Sequence, residues 1–190
     1  MNIQKCYLDS ENSFLIDYRS VSEKILSGPH KALWEDRAVE IDTIIVHYMS
    51  AVEFYNNDPF NIKKCLEVFM KFDVSAHYII DRLGEVYSLV PLEKKAWHCG
   101  GSIMPTGDGR IGVNDFSIGI ELMATEKSGF TDKQYASLNS LVKEVKGEYN
   151  INSILGHDEI SGVHAVNLGL RSDVKNDPGK LFDWNKLNLK

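Results

Sequence analysis

The clearest pattern in the chain is IDTIIVHY (41–48), a run of β-branched and apolar residues that predicts a buried strand ending at His47. In DPFNIKKCLEVFMKFD, Ile62, Leu66, Phe69 and Met70 recur on one helical face, and Pro59 stands at the predicted start of that helix. SAHYIIDRLGEVYSLVP (75–91) predicts two strands joined by a tight turn at Arg82–Gly84, with AWHCGGS as a glycine-rich loop after them. DFSIGIELM (115–123) alternates and is rich in strand formers until Glu121. Thr131 and Gln134 have the spacing of a capping box, which opens a helix through Glu148 that buries Tyr135, Leu138, Leu141 and Val145. INSILG predicts a short strand delivering His157, NDPG is turn chemistry, and DWNKL closes the chain as a short helix. Residues 1–38 read as an irregular or partly helical preface whose helix is FLIDYRSVSEKIL. Strands interleaved with helices predict an α/β fold, a single domain with a central mixed sheet flanked by helices.

Composition narrows the class. A chain of 190 residues suits one domain, and 43% hydrophobic with 25% charged residues is ordinary for a globular protein. A net charge of −6 without a basic run argues against a nucleic-acid surface. Cys6, Cys65 and Cys99 are odd in number and far apart, so no disulfide framework is expected, and Cys6 and Cys65 read as inert thiols. MNIQKCYLDSENSF lacks an apolar segment behind a basic start, and no run of eighteen apolar residues follows. The expectation is therefore no signal peptide, no membrane span and a cytoplasmic protein, with a phage-lysis or specialised secretion route as the alternative.

The candidate chemistry sits at strand ends. His47 and His157 each close an apolar strand, where side chains of an α/β sheet project into a crevice. Two imidazoles brought together there can hold zinc if a third ligand joins them, leaving one position open for water. Asp158, Glu159, His164, Asp173 and Asp177 are the candidates, and Asp177 before proline equally suits an Asx-turn. Glu121 interrupts an apolar strand at a position that should be buried, and an unpaired buried carboxylate costs several kcal/mol or shifts its pKa upward. It reads either as a general base or as half of a buried ion pair. Cys99 follows His98, so a Cys/His hydrolase is a rival, although chain neighbours rarely aim at each other. No phosphate-binding glycine loop, HExxH or CxxC pair is present.

With those residues assembled, the chain resembles the zinc-dependent N-acetylmuramoyl-L-alanine amidases of the amidase-2 type, which share a fold with peptidoglycan recognition proteins and a phage lysozyme. Six blocks carry the resemblance in order: IIVHY, VSAHYIIDRLGEVYSLVP, KAWHCG, NDFSIGIEL, GHDEI and KNDPGKLFDW. KAWHCG and NDFSIGIEL look closest to the AmpD subgroup, which recycles anhydromuropeptides. The resemblance implies zinc held by His47, His157 and Asp177, Glu121 as catalytic glutamate, and Lys175 as the cation that meets the oxyanion. It implies a peptidoglycan or muropeptide substrate cut between the muramyl lactyl group and L-alanine. Trp97, His98 and Tyr48 are placed in the substrate groove, and Arg82 or Arg110 at a stem-peptide carboxylate. The implied organisation is an N-terminal extension over 1–38 without assigned role and a catalytic domain over 39–190, acting as a monomer without nucleic acid.

Three features depart from the pattern. Ala76 occupies a position where some phage members carry a catalytic tyrosine, which leaves the base role to Glu121. Tyr48 follows His47, as in general cell-wall amidases, where AmpD itself is expected to have asparagine. Asp177 lies 20 residues beyond His157, so VHAVNLGLRS lengthens the loop over 161–173 and offers His164 as a rival ligand. The alternatives carried forward are a non-catalytic peptidoglycan-binding module of the same fold and a lytic phage or effector amidase acting on intact wall.

Overall fold

The computed structural model describes residues 1–5 and 33–188. FLIDYRSVSEKIL and Cys6 lie outside the described residues. Six strands form the main sheet: β1 (Ile3–Lys5), β3 (Thr43–Met49), β4 (Tyr78–Ile80), β5 (Val86–Ser88), β7 (Ser117–Met123) and β8 (Ser153–Gly156). Their order is β1-β5-β4-β7-β3-β8, and only the β4–β5 hairpin is antiparallel, so the sheet is mixed. The short strands β2 (Trp34–Asp36) and β6 (Lys94–Ala96) pair separately and antiparallel. The described parts of residues 1–38 thus belong to this fold: β1 edges the main sheet, β2 pairs with β6, and Leu33 is buried.

β7 does not alternate between inside and outside, because all seven of its residues are buried. A parallel strand in mid-sheet is covered on both faces, which removes the polar side that alternation implies. The two faces nevertheless have different chemistry. Ile44 and Val46 of β3 and Ile118, Ile120 and Leu122 of β7 pack into one large apolar cluster. Against them lies α2 (Asp132–Glu148), which buries Tyr135, Leu138, Leu141, Val142 and Val145. The capping box is present: the Gln134 N–H donates to Thr131 Oγ1 at 3.1 Å, and the Thr131 N–H donates to Gln134 Oε1 at 3.0 Å. The opposite face carries the odd-numbered residues, among them His47, Ser117, Gly119 and Glu121, and there the chemistry collects.

On that second face α1 (Ile62–Lys71) buries Cys65, Leu66 and Phe69. It starts later than Pro59 suggests, because Asn61 is the N-cap: its side chain accepts from the N–H groups of Lys63 and Lys64. An asparagine oxygen satisfies donors that the first turn would otherwise leave orphaned, which decides the boundary. Two short helices, α3 (His157–Ile160) and α4 (Val163–Asn167), follow β8, and DWNKL supplies a 3-10 turn at Trp184–Lys186. No described helix is long and apolar enough to cross a membrane.

Candidate active site

Three parallel strands end at one cleft. His47 stands near the C-terminal end of β3 with Glu121 of β7 as its direct register partner, and β8 stops at Gly156 so that His157 opens α3. Asp177 comes from the NDPG turn, where Gly179 takes a φ of +73° and an added Cβ would lie 2.8 Å from the Asn176 carbonyl oxygen. Only glycine fits that corner. The Asp158 N–H donates to the Asp177 carbonyl at 2.8 Å, tying the turn to the start of α3. These residues line a cleft of 570 Å³ together with Tyr48, Trp97 and Lys175.

Inside it, His47 Nδ1 and His157 Nδ1 each lie 3.1 Å from Asp177 Oδ2. His157 Nε2 is 3.1 Å from the Cys99 carbonyl oxygen, which can only accept, so a proton held on Nε2 leaves Nδ1 free to offer a lone pair to a cation beside Asp177. Burial, and then the neighbouring charge of His157, pull the pKa of His47 down to about 4, so His47 is neutral at neutral pH. Two ring nitrogens and a carboxylate oxygen therefore converge within 4.8 Å of one another. This donor set suits a divalent cation of zinc's preferences, with room in the cleft for a further ligand.

Glu121 is 8% exposed, and its Oε2 is a buried side-chain atom without a hydrogen-bond partner. Burial, reinforced by the Asp177 charge, pushes its pKa well above the usual carboxylate range, while Lys175 pulls it back. The ion-pair reading of Glu121 would require a cation in direct contact, and no described residue makes one. Lys175 is half-buried, lines the same cleft, and is held by its backbone N–H, which donates to Ser161 at 3.0 Å.

The other sequence candidates divide. Tyr48 and half-buried Trp97 line the cleft, and the Trp97 indole N–H is turned to Glu35 at 3.0 Å. His98 also lines the cleft, largely buried at its base, its ring edge-on to His47 at 5.1 Å. Arg82 is outside the cleft lining: it donates to the carbonyls of Gly129 at 2.5 Å and Met123 at 3.2 Å, pinning the start of α2 to the sheet. Arg110 pairs with Asp42 and Asp108 at 2.9 and 2.7 Å. His164 is exposed on α4 and joins no ligand group among the described residues. Glu159 accepts from the Gly156 N–H at 2.7 Å, and Asp173 faces Arg171.

Cys99 and His98 do meet, with Sγ 3.1 Å from Nδ1, where chain neighbours are expected to point apart. The loop turns sharply enough to fold both side chains inward, since both backbone N–H groups donate to Asn114 Oδ1, at 3.2 and 2.9 Å. Burial drives the thiol well above its ordinary pKa and His98 well below its own. A protonated thiol beside a neutral imidazole is not an activated nucleophile. His47, His98 and Cys99 form a second group of ligand-type atoms within 4.8 Å, but it needs a thiolate in a site that disfavours one.

Sequence reasoning missed Asn114, Ser117 and Gly119, and it missed His77 and Arg37 behind them. His77 is fully buried; its Nδ1 accepts from the Gly119 N–H at 3.0 Å, which leaves Nε2–H to donate to the Lys94 carbonyl at 3.1 Å. Arg37 caps the carbonyls of Lys94, Ser117 and Asp115 at 2.8, 3.0 and 2.6 Å. The available signal was the odd-numbered side of SIGIEL, where Ser117, Gly119 and Glu121 fall on one face.

Residues 37–180 match the family described as N-acetylmuramoyl-L-alanine amidase. A 1,6-anhydro-N-acetylmuramyl-L-alanine amidase AmpD of Haemophilus influenzae is 33% identical over 195 residues, covering 94% of both chains. The AmpD of Enterobacter cloacae is 38% identical over 117 residues, 60% of this chain and 56% of that protein. The match thus spans about half the length of several of the curated relatives. Among solved structures, a selenomethionine AmpD derivative superposes with a TM-score of 0.64 at 31% identity, over 81% of this chain and 87% of the other.

Proposed function

The chain belongs to the N-acetylmuramoyl-L-alanine amidase family, and from that membership we propose that it is a zinc-dependent amidase of muropeptides. The bond cut is the amide between the muramyl lactyl group and L-alanine, and the catalytic domain is taken as residues 39–190. His47 and His157 would hold the ion through Nδ1 and Asp177 through Oδ2. Once bound, zinc supplies Lewis-acid polarisation of the scissile carbonyl and acidifies water.

The chain's own residues do the rest. Glu121, without a partner at Oε2, accepts in its carboxylate form the proton of the attacking water and passes it to the leaving amine of L-alanine. A carboxylate with a raised pKa is suited to the first step, because burial makes it hold a proton more tightly than an ordinary carboxylate does. Lys175 brings a positive charge to the same cleft, where it meets the negative oxygen that develops on the former carbonyl. Tyr48 and Trp97 line the groove and would limit water around the reacting amide.

The observation that carries this reading is the meeting of His47, His157 and Asp177 at 3.1 Å beside the partnerless Glu121. The names of the AmpD relatives favour 1,6-anhydromuropeptides over intact wall, and the reading adopted alongside is a cytoplasmic monomer. Incubating the purified protein with an anhydromuropeptide and, separately, with sacculi tests it. Free stem peptide from the first, detected by mass spectrometry, is the expected result. Release only from sacculi would move the assignment to a lytic amidase, and no release from either would leave a binding module.

A further inference from the structure

Four motif blocks meet at one buried side chain that takes no part in the proposed chemistry, His98. Its ring lies against Gly119 of SIGIEL, so closely that a Cβ there would sit 2.4 Å from His98 Cγ. Its backbone is held by Asn114, and the His77 ring flanks it at 5.7 Å. Its two nitrogens face two partners: Nδ1 is 3.0 Å from His47 Nε2, and Nε2 is 3.3 Å from Ser117 Oγ.

The direction of every bond in this row follows from its far end. The Ser117 hydroxyl lies 2.6 Å from the Val113 carbonyl, which can only accept, so the hydroxyl donates there and offers a lone pair to His98. His98 Nε2 then carries the proton and donates to Ser117. Its Nδ1 is left as an acceptor, so His47 Nε2 must donate to it. That places the lone pair of His47 on Nδ1, facing the acceptor-only Asp177 Oδ2 at 3.1 Å, an arrangement that a cation between them satisfies and that competes, when no cation is bound, with a proton on Nδ1. The Cys99 thiol reaches the same His98 nitrogen at 3.1 Å, but a thiol is a weaker donor than an imidazole N–H.

We propose that His98 is a positioning residue that, backed by Ser117 and the Val113 carbonyl, locks His47 in the tautomer and orientation able to bind a metal through Nδ1. The inference rests on the reading of His47, His157 and Asp177 as metal ligands. Outer hydrogen bonds of this kind fix a ligating imidazole and raise its basicity, and losing one typically weakens metal affinity about 10–100-fold. A second imidazole in that role, where a carboxylate or carbonyl is usual, explains why a histidine is buried at the base of the cleft and why residue 119 is glycine.

The test reads zinc affinity by chelator competition and the His47 tautomer by nitrogen-15 NMR of the zinc-loaded protein. His98→Leu removes the acceptor and is expected to weaken zinc binding at least about 10-fold. His98→Asn, whose Oδ1 can stand where Nδ1 stood, is expected to recover most of that loss. Ser117→Ala, a smaller change that secures the test if His98→Leu does not fold, is expected to weaken zinc by a few-fold. In the unsubstituted protein the spectrum should show a proton on His47 Nε2 and none on Nδ1. Unchanged zinc affinity in a folded His98→Leu, or a proton on His47 Nδ1 in the parent, would overturn the proposal. So would a thiolate-to-cobalt absorption band in the cobalt-loaded protein that Cys99→Ser abolishes, since the metal would then sit on His47, His98 and Cys99. A parent protein that binds no zinc at all defeats the metal-site reading itself, which is a different result.

Discussion

His47 and Glu121 are direct register partners on the adjacent parallel strands β3 and β7. The pairing sets a neutral imidazole and a partnerless carboxylate side by side on one face of the sheet, buried in the lining of the cleft. A one-residue slip would turn either side chain into the apolar cluster under α2. The sheet register is therefore the first requirement of the site, and the loops that bring His157, Asp177 and Lys175 complete it.

If that convergence holds a metal, the protein should carry about one zinc per chain, as expected of a single three-ligand site. Dipicolinate should abolish amide hydrolysis and added zinc should restore it. His47→Ala and His157→Ala should each lose both metal and turnover, read by elemental analysis and stem-peptide release. Full activity in metal-free protein would remove zinc from the assignment.

Asp177 and His164 are separated by the same measurement. Asp177→Ala should lose zinc, because its Oδ2 faces both ring nitrogens at 3.1 Å. His164→Ala should keep it, because that side chain is exposed on α4. The reverse outcome would place the ligand in the long loop.

Glu121→Gln should retain zinc and lower kcat by at least ~10²-fold, since glutamine keeps the shape and cannot accept a proton. It should also stabilise the metal-free protein at neutral pH. The pKa of Glu121 is raised in the folded state, so the native protein binds the proton more tightly than the unfolded chain and loses stability as pH rises. Glutamine carries no such dependence. Its advantage in Tm should grow above the ordinary carboxylate range and vanish below it, and a pH-independent difference would contradict the burial argument.

Lys175→Ala should shift the acid limb of the kcat/KM profile to higher pH. Lys175 pulls the Glu121 pKa down, so its removal raises that pKa, and the ionised base appears only at higher pH. At a pH well above the limb, a remaining loss in kcat would report the charge offered to the oxyanion, which exists only in the transition state. A change confined to KM would place Lys175 in ground-state binding.

Cys99→Ser should keep substantial activity, and thiol alkylation of the native protein should be slow. Cys99 is 1% exposed and its thiol is held protonated by burial. Rapid inactivation by an alkylator, prevented by Cys99→Ser, would restore the cysteine mechanism.

Much of this was legible in the sequence, because it is local. The strand at 43–49, the hairpin at 78–88 and the capping box at Thr131 each depend on residues within a few positions of one another. The anomaly of a glutamate in SIGIEL announced a buried carboxylate, and two histidines closing apolar strands announced a strand-end site. The six ordered blocks pointed to the family that residues 37–180 match. Where a local rule had a competitor, the sequence misled: Pro59 looked like a helix start until the Asn61 side chain capped the turn after it.

Apart from what the family resemblance implied, local sequence rules could not decide anything that links distant segments. His47 and Asp177 are 130 residues apart, and only the packing of β3, β8 and the NDPG turn brings them to 3.1 Å. Arg82 carries the same charge in any sequence reading, yet its tertiary neighbours are carbonyls at the start of α2 rather than a ligand. The row from His47 through His98 and Ser117 to Val113 has no sequence signature, because its members lie on different elements and their donor roles follow from the last acceptor. Local propensity and residue chemistry determined which groups this protein has to work with. Sheet register, burial and the direction of hydrogen bonds, which depend on contacts across the whole fold, decided which of them face one another.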